Sequence, residues 1–161
     1  MKRPTRWMGL FASLSLIAAI AVVRADEEKV PLKDVPKAVL DAVKAKFPKA
    51  EILGAEKEVE KGKTTFELEL KDAGKTLSVS LKPDGTILEI ETTIAVKDLP
   101  KKVSGAVVAK YPKGTIKSAE MVTVGEKTTY EVVVTLAGKE PRELVLDPDG
   151  KILEDEEEEK D

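Results

Sequence analysis

The chain repeats itself. Displaced by 64 residues, LKDVPKAVLDAVKAKFPKAEI from Leu32 falls on VKDLPKKVSGAVVAKYPKGTI from Val96, and KTTFELEL from Lys63 falls on KTTYEVVV from Lys127. AGK at Ala73 meets AGK at Ala137. PDGTILE then meets PDGKILE at a displacement of 65, so one residue has entered between Lys139 and Asp147. Matches that keep their order over such a span mark a tandem duplication. Any fold must therefore be built twice, from units of about sixty residues that each bury only about 60% of their unfolded surface. Units that small are expected to dock, edge to edge into one wider sheet. The connection Thr92–Lys97, without Gly or Pro, suits close docking.

Both units read the same way. Asp34 and Asp98 are N-cap candidates, whose side-chain oxygens can accept from free N–H groups at a helix start. Pro36 and Pro100 fall in the first turn, where no intrahelical donor is missed. Val35, Val39, Val43 and Phe47, and in the second copy Leu99, Val103, Val107 and Tyr111, form apolar stripes at spacing four. Pro48 and Pro112 end the helices, because the residue before a proline resists helical geometry. Period-two alternation follows: Phe66, Leu68 and Leu70, then Leu77, Val79 and Leu81, then Leu88 and Ile90, with a less certain strand near Ile52–Val59. Lys61-Gly62, Ala73-Gly74 and Pro83-Asp84-Gly85 punctuate them as turns. The fold class is α+β, with two tandem repeats. Each is one helix followed by a four-stranded antiparallel meander, the helices packed on one face of the sheet.

The two acidic PDG segments admit a calcium loop or a hairpin turn. With Gly150 at loop position 6, Asp147, Asp149 and Glu156 fall at positions 3, 5 and 12, but position 1 is Val145. In the first copy Lys82 takes position 3, where a cation repels calcium. The flanks read as strands, so a bulged hairpin with Gly in the left-handed region is expected.

The chain has neither Cys nor His. That excludes disulfides, thiol nucleophiles, Ser-His-Asp triads and nearly every zinc site. Catalysis would have to use carboxylates, Lys, Ser, Thr or Tyr, and buried carboxylates gathered in a structure would favour it. No nucleic-acid footprint is present, since net charge is −3 and no basic patch stands out. Lys2, Arg3 and Arg6 precede an apolar run from Trp7 to Val23, with small residues before Ala25, so residues 1–25 read as a secretory signal peptide. The run is shorter than the roughly 20 residues that span a bilayer. Cleavage would remove four basic residues and leave the chain near −7, periplasmic or secreted, with no stable membrane insertion.

The doubled order D-[VL]-P, [FY]-P-K, K-T-T-[FY]-E-[LV] and P-D-G-x-I-L-E resembles the PepSY-like, beta-lactamase-inhibitor-like family over nearly all of residues 29–156. The resemblance implies exported proteins of tandem modules, a sheet with helices on one face, and binding or inhibition rather than catalysis. The modules are placed at residues 29–93 and 94–156, with an acidic tail at 157–161 and the charge run beginning at Glu154.

With helices on one face, the other meets solvent. In the first copy it carries Thr65, Glu67, Glu69, Ser78, Ser80, Glu89 and Glu91. In the second copy the matching positions are Thr129, Glu131, Val133, Thr135, Glu143 and Val145, where valines replace Glu69 and Ser80. These six are the partner-binding candidates, for a protein or peptide of the cell envelope. The alternative is an envelope cation-binding or sensing protein using Asp147, Asp149 and the tail, with weak calcium binding. No cofactor is expected.

Overall fold

A computed structural model describes residues 26–157. The signal segment and residues 158–161 of the tail lie outside the described residues. The elements are β1 (Asp26–Lys29), α1 (Lys37–Lys46), β2 (Glu51–Glu60), β3 (Lys63–Asp72), β4 (Lys75–Leu81), β5 (Ile87–Ile94), α2 (Lys101–Lys110), β6 (Thr115–Val124), β7 (Lys127–Thr135), β8 (Arg142–Leu146) and β9 (Ile152–Glu157). The nine strands form one antiparallel sheet in chain order. The repeats join through β5 and β6, where Ile90 faces Thr123 and Ile94 faces Ala119. The edge-to-edge docking expected from the duplication is present.

Both helices lie on the same face. Val39 and Val43 of α1 pack with Phe66, Leu68, Leu70, Val79 and Leu81, while Val103 and Val107 of α2 pack with Val132, Val134, Leu144 and Leu146. Ile90 borders the first cluster and Ile94 the second. Those two residues are four apart on β5 and so share a face.

The helix starts correct the sequence reading. Asp34 and Asp98 do not cap α1 and α2; they close short 3-10 turns at Leu32–Asp34 and Val96–Asp98. Pro36 and Pro100 occupy the N-cap positions, and no side chain caps either helix. The physical reason is the rule that also ends the helices at Pro48 and Pro112. Val35 (ψ 133°) and Leu99 (ψ 138°) precede prolines and are driven out of the helical region. Both stay buried, so the apolar stripe is right about the core although its first member is not helical.

Two strands also depart from expectation. β1 lies outside the expected strands, because its four charged residues carry no apolar alternation. β9 runs through Glu157, so Glu154–Glu157 of the charge run are strand rather than free tail. Asp155 explains how an acidic edge strand is held. It accepts from Tyr111 Oη (2.8 Å) and Arg142 Nε (2.9 Å) and pairs with Lys110 Nζ (2.7 Å). In the first copy the matching residues are Ile90, Phe47, Leu77 and Lys46. There the strand is interior, and apolar side chains suffice. Burial raises the Asp155 pKa, but the bonds from Lys110, Tyr111 and Arg142 outweigh it and hold it below the ordinary carboxylate range. Such a group contributes stability above its unfolded pKa and loses it as pH falls through the folded one. Asp155→Ala should therefore cost about 2 kcal/mol at pH 7. In thermal melts the gap to the parent should close as pH drops below about 4.

The PDG segments are hairpin turns. Gly85 N–H donates to Lys82 O and Gly150 N–H to Asp147 O, and the register slips by one residue beside each turn. Each turn tip rests on the first turn of its helix. A Cβ at Gly85 would lie 2.6 Å from Ala38 O, and one at Gly150 would lie 2.5 Å from Lys102 O. The motif recurs because each repeat needs a hairpin that can touch helix backbone.

Candidate functional site: the open sheet face

Strand parity fixes what the uncovered face carries. From Glu67 opposite Ser80 and Ser80 opposite Glu89, the row continues through Glu91 opposite Val122 to Glu120 opposite Glu131, then Val145 and Glu154. A second row sets Ser118, Val133, Glu143 and Glu156 side by side. The face is lined by glutamates across both repeats, and both helices lie on the other side.

The structure brings most of the six candidates together. Glu131 faces Val145, and Val133 faces Glu143, across β7 and β8. Thr129 faces Val122, while Thr135 lies farther along β7 opposite Thr115. Their accessibility differs from expectation. Val133 is 6% exposed, and Glu131 and Glu143 are 7% exposed, whereas Thr129, Thr135 and Val145 are half-buried. The supposed apolar patch therefore offers Val145 but little of Val133. In the first copy, Ser80 is also buried, so that face is less solvated than alternation suggests.

The seam between the repeats gathers carboxylates that sequence reading treated as separate. Glu120 and Glu131 are directly opposed across β6 and β7, an unfavourable arrangement for two anions. Burial, then the charges of Glu143, Glu89 and Glu120, push Glu131 up to about 8. Burial, then the hydrogen bond with Glu89 and the charges of Glu131, Glu89 and Glu120, push Glu91 up to about 10. Glu89 and Glu120 are raised by burial, the latter partly offset by the bond from Thr93 Oγ1. At neutral pH the middle of the face thus holds protons, and protonated carboxyls can donate hydrogen bonds as well as accept them. Glu120 was missed because alternation marks its side of the strand but not its depth.

The acidic turn is organised differently from a cation loop. Asp147 Oδ1 accepts from the N–H groups of Asp149 (3.0 Å) and Lys151 (2.9 Å), and Asp149 pairs with Lys102 at 2.7 Å. Among the described residues no cluster of three or more acidic side chains is placed to hold a metal ion.

A family model described as "Putative beta-lactamase-inhibitor-like, PepSY-like" matches residues 21–89 and again 75–154. The chain belongs to that family, in two copies. No curated protein matches it. Among solved structures, a "putative periplasmic" protein from Bacteroides eggerthii is similar at 19% identity over 76% of this chain and 88% of that one, with a TM-score of 0.67. A DUF2874 family protein from Bacteroides uniformis matches at 18% identity, 76% and 88% coverage, and a TM-score of 0.66. A BLIP-like protein from Bacteroides fragilis matches at 21% identity, 82% and 90% coverage, and a TM-score of 0.65. At these identities the likeness establishes the fold. Among the described residues no helix is long and apolar enough to cross a membrane.

Proposed function

We propose that the chain is an exported, non-enzymatic binding module of the cell envelope, released by cleavage after Ala25, that takes a basic protein or peptide segment on its open sheet face. One observation carries this reading: the face opposite the helices is lined by glutamates from both repeats. Charge complementarity selects a Lys/Arg-rich partner. The outer carboxyl groups on the same face, such as Glu154 and Glu156, supply attraction. The protonated centre around Glu91 and Glu131 supplies hydrogen bonds without adding repulsion. Of the six candidates, Thr129, Thr135 and Val145 offer contact area, while Glu131, Val133 and Glu143 support the surface from beneath. The exported location agrees with the description of the Bacteroides eggerthii relative as periplasmic.

The test is binding of a dodecalysine peptide, followed by fluorescence anisotropy. The triple variant Thr129→Lys, Val145→Lys, Glu156→Lys should weaken binding at least tenfold. A variant with the same change in charge on the other side, Asp41→Lys with Asp98→Lys, should bind within threefold of the parent. Equal losses in both would reduce the effect to net charge and remove the face from the proposal.

A second reading, acid–base catalysis, is favoured by the gathered carboxylates Glu89, Glu91, Glu120 and Glu131, since enzymes use neighbouring carboxyl groups with separated proton affinities. Hydrolysis of glycoside or peptide substrates by the parent, abolished in Glu131→Gln, would establish it.

A further inference from the structure

β1 sits on β2 in the register that β5 uses on β6. Asp26 pairs with Val59, Glu27 with Glu58, Glu28 with Lys57 and Lys29 with Glu56. Adding 64 to every number gives Ile90 with Thr123, Glu91 with Val122, Thr92 with Met121 and Thr93 with Glu120, which is the observed seam. The correspondence continues one residue further. Val30 N–H donates to Ala55 O at 3.0 Å, and Ile94 pairs with Ala119. Val30 borders the first core cluster as Ile94 borders the second. β1 is therefore the counterpart, on the first repeat, of the strand by which one repeat docks on the next.

The two strands differ in composition. Ile90–Ile94 reads IETTI, rich in β-branched residues, while Asp26–Val30 reads DEEKV and has one such residue, at its end. Acids and lysine are poor strand formers relative to Ile and Thr. β1 holds its place chiefly by backbone hydrogen bonds, Val30 and tethering to the chain, with Lys29 set against Glu56 at 3.9 Å. The edge beneath it presents Glu56–Val59 in the register that Glu120–Thr123 present to β5.

We infer that the outer edge of β2 is an acceptor for an extended strand, closed in cis by β1, and that it takes in trans a peptide segment of another protein with the alternation of Ile90–Ile94. That alternation places Ile or Thr toward the helices and an acid or Thr toward the open face. This is recognition by strand addition, in which main-chain bonds supply affinity and alternate side chains supply selectivity. It concerns the sheet edge and does not depend on the open-face reading.

The probe is a labelled synthetic peptide of residues 87–95, ILEIETTIA, with a control in which the isoleucine matching Ile94 is aspartate. In the full chain, Val30→Asp removes the one aliphatic anchor of β1. The peptide should bind this variant at least tenfold more tightly than the parent, and the control peptide should bind neither. Those amides of Ala55–Val59 that point toward β1 rather than β3, exchange-labile in the variant alone, should regain protection with peptide. Equal binding to parent and variant, or none to a variant whose far-UV spectrum is native, overturns the proposal. Self-assembly of the variant without peptide would assign the edge to a second copy and overturn the proposed occupant. Should Val30→Asp fail to fold, hydrogen exchange in the parent decides. β1 amides must exchange by local opening faster than those of β4, and exchange only with global unfolding would sink the idea.

Discussion

The protein should be most stable in mild acid and lose stability steadily as pH rises from about 5 to about 10. Glu131 titrates near 8 and Glu91 near 10 in the folded chain, against 4.5 when unfolded. A carboxyl whose folded pKa is raised binds its proton more tightly in the native state, so the unfolded state releases protons first as pH climbs. Stability from the protonated seam is then fully present below about 4.5, declines across the interval, and is gone once the folded groups ionise. The cost on the alkaline side is on the order of a few kcal/mol, which for a chain this size lowers the melting temperature by roughly 10 °C. Glu91→Gln with Glu131→Gln should flatten the profile and make the variant the more stable form at pH 9, since glutamine keeps the shape without the charge. Melts of parent and variant from pH 5 to 10 that run parallel would show that the carboxylates reach solvent in both states.

The second large effect concerns the turn tips. Gly85→Ala and Gly150→Ala should each destabilise the chain by about 3 kcal/mol, combining backbone strain with a clash against helix backbone. Gly85 has φ +85° and Gly150 φ +84°, and carbonyl oxygens of α1 and α2 occupy the space a side chain would need. Gly74 is the control. Its φ is +81°, yet nothing lies within 4 Å of an added Cβ. Gly74→Ala should therefore cost only about 1 kcal/mol. Urea midpoints for the three single variants separate the two contributions. Equal losses would mean that the turns do not bear on the helices in solution.

These two results also show what the sequence could convey. Duplication, helix stripe and strand alternation were all visible, because each repeats a chemical pattern with its own period. The hairpin reading of PDG followed from Lys82 and Val145, which occupy ligand positions. The contact between Gly85 and Ala38 was invisible, since it joins residues far apart through geometry rather than pattern. α1 is capped two residues beyond Asp34, at Pro36, because a proline drives Val35 before it out of the helical region, an effect that the cap preference of Asp does not carry. In the sequence Glu91 belongs to a solvent-facing acidic row and Glu131 to the partner-binding candidates, both on alternating strands. Their depth arises only when β5 meets β6, which no single repeat encodes. β1 escaped notice for the opposite reason: its register is inherited from the repeat, but its residues have lost the alternation.

The strands follow one another across the sheet in chain order, so β1 and β9 are its two edges. A pull applied through the chain ends would act across the ladders, peeling the outermost strand first and breaking bonds in succession rather than shearing them together. The molecule would yield to tension at low force from its rims inward, while the strands beneath each helix gave way later.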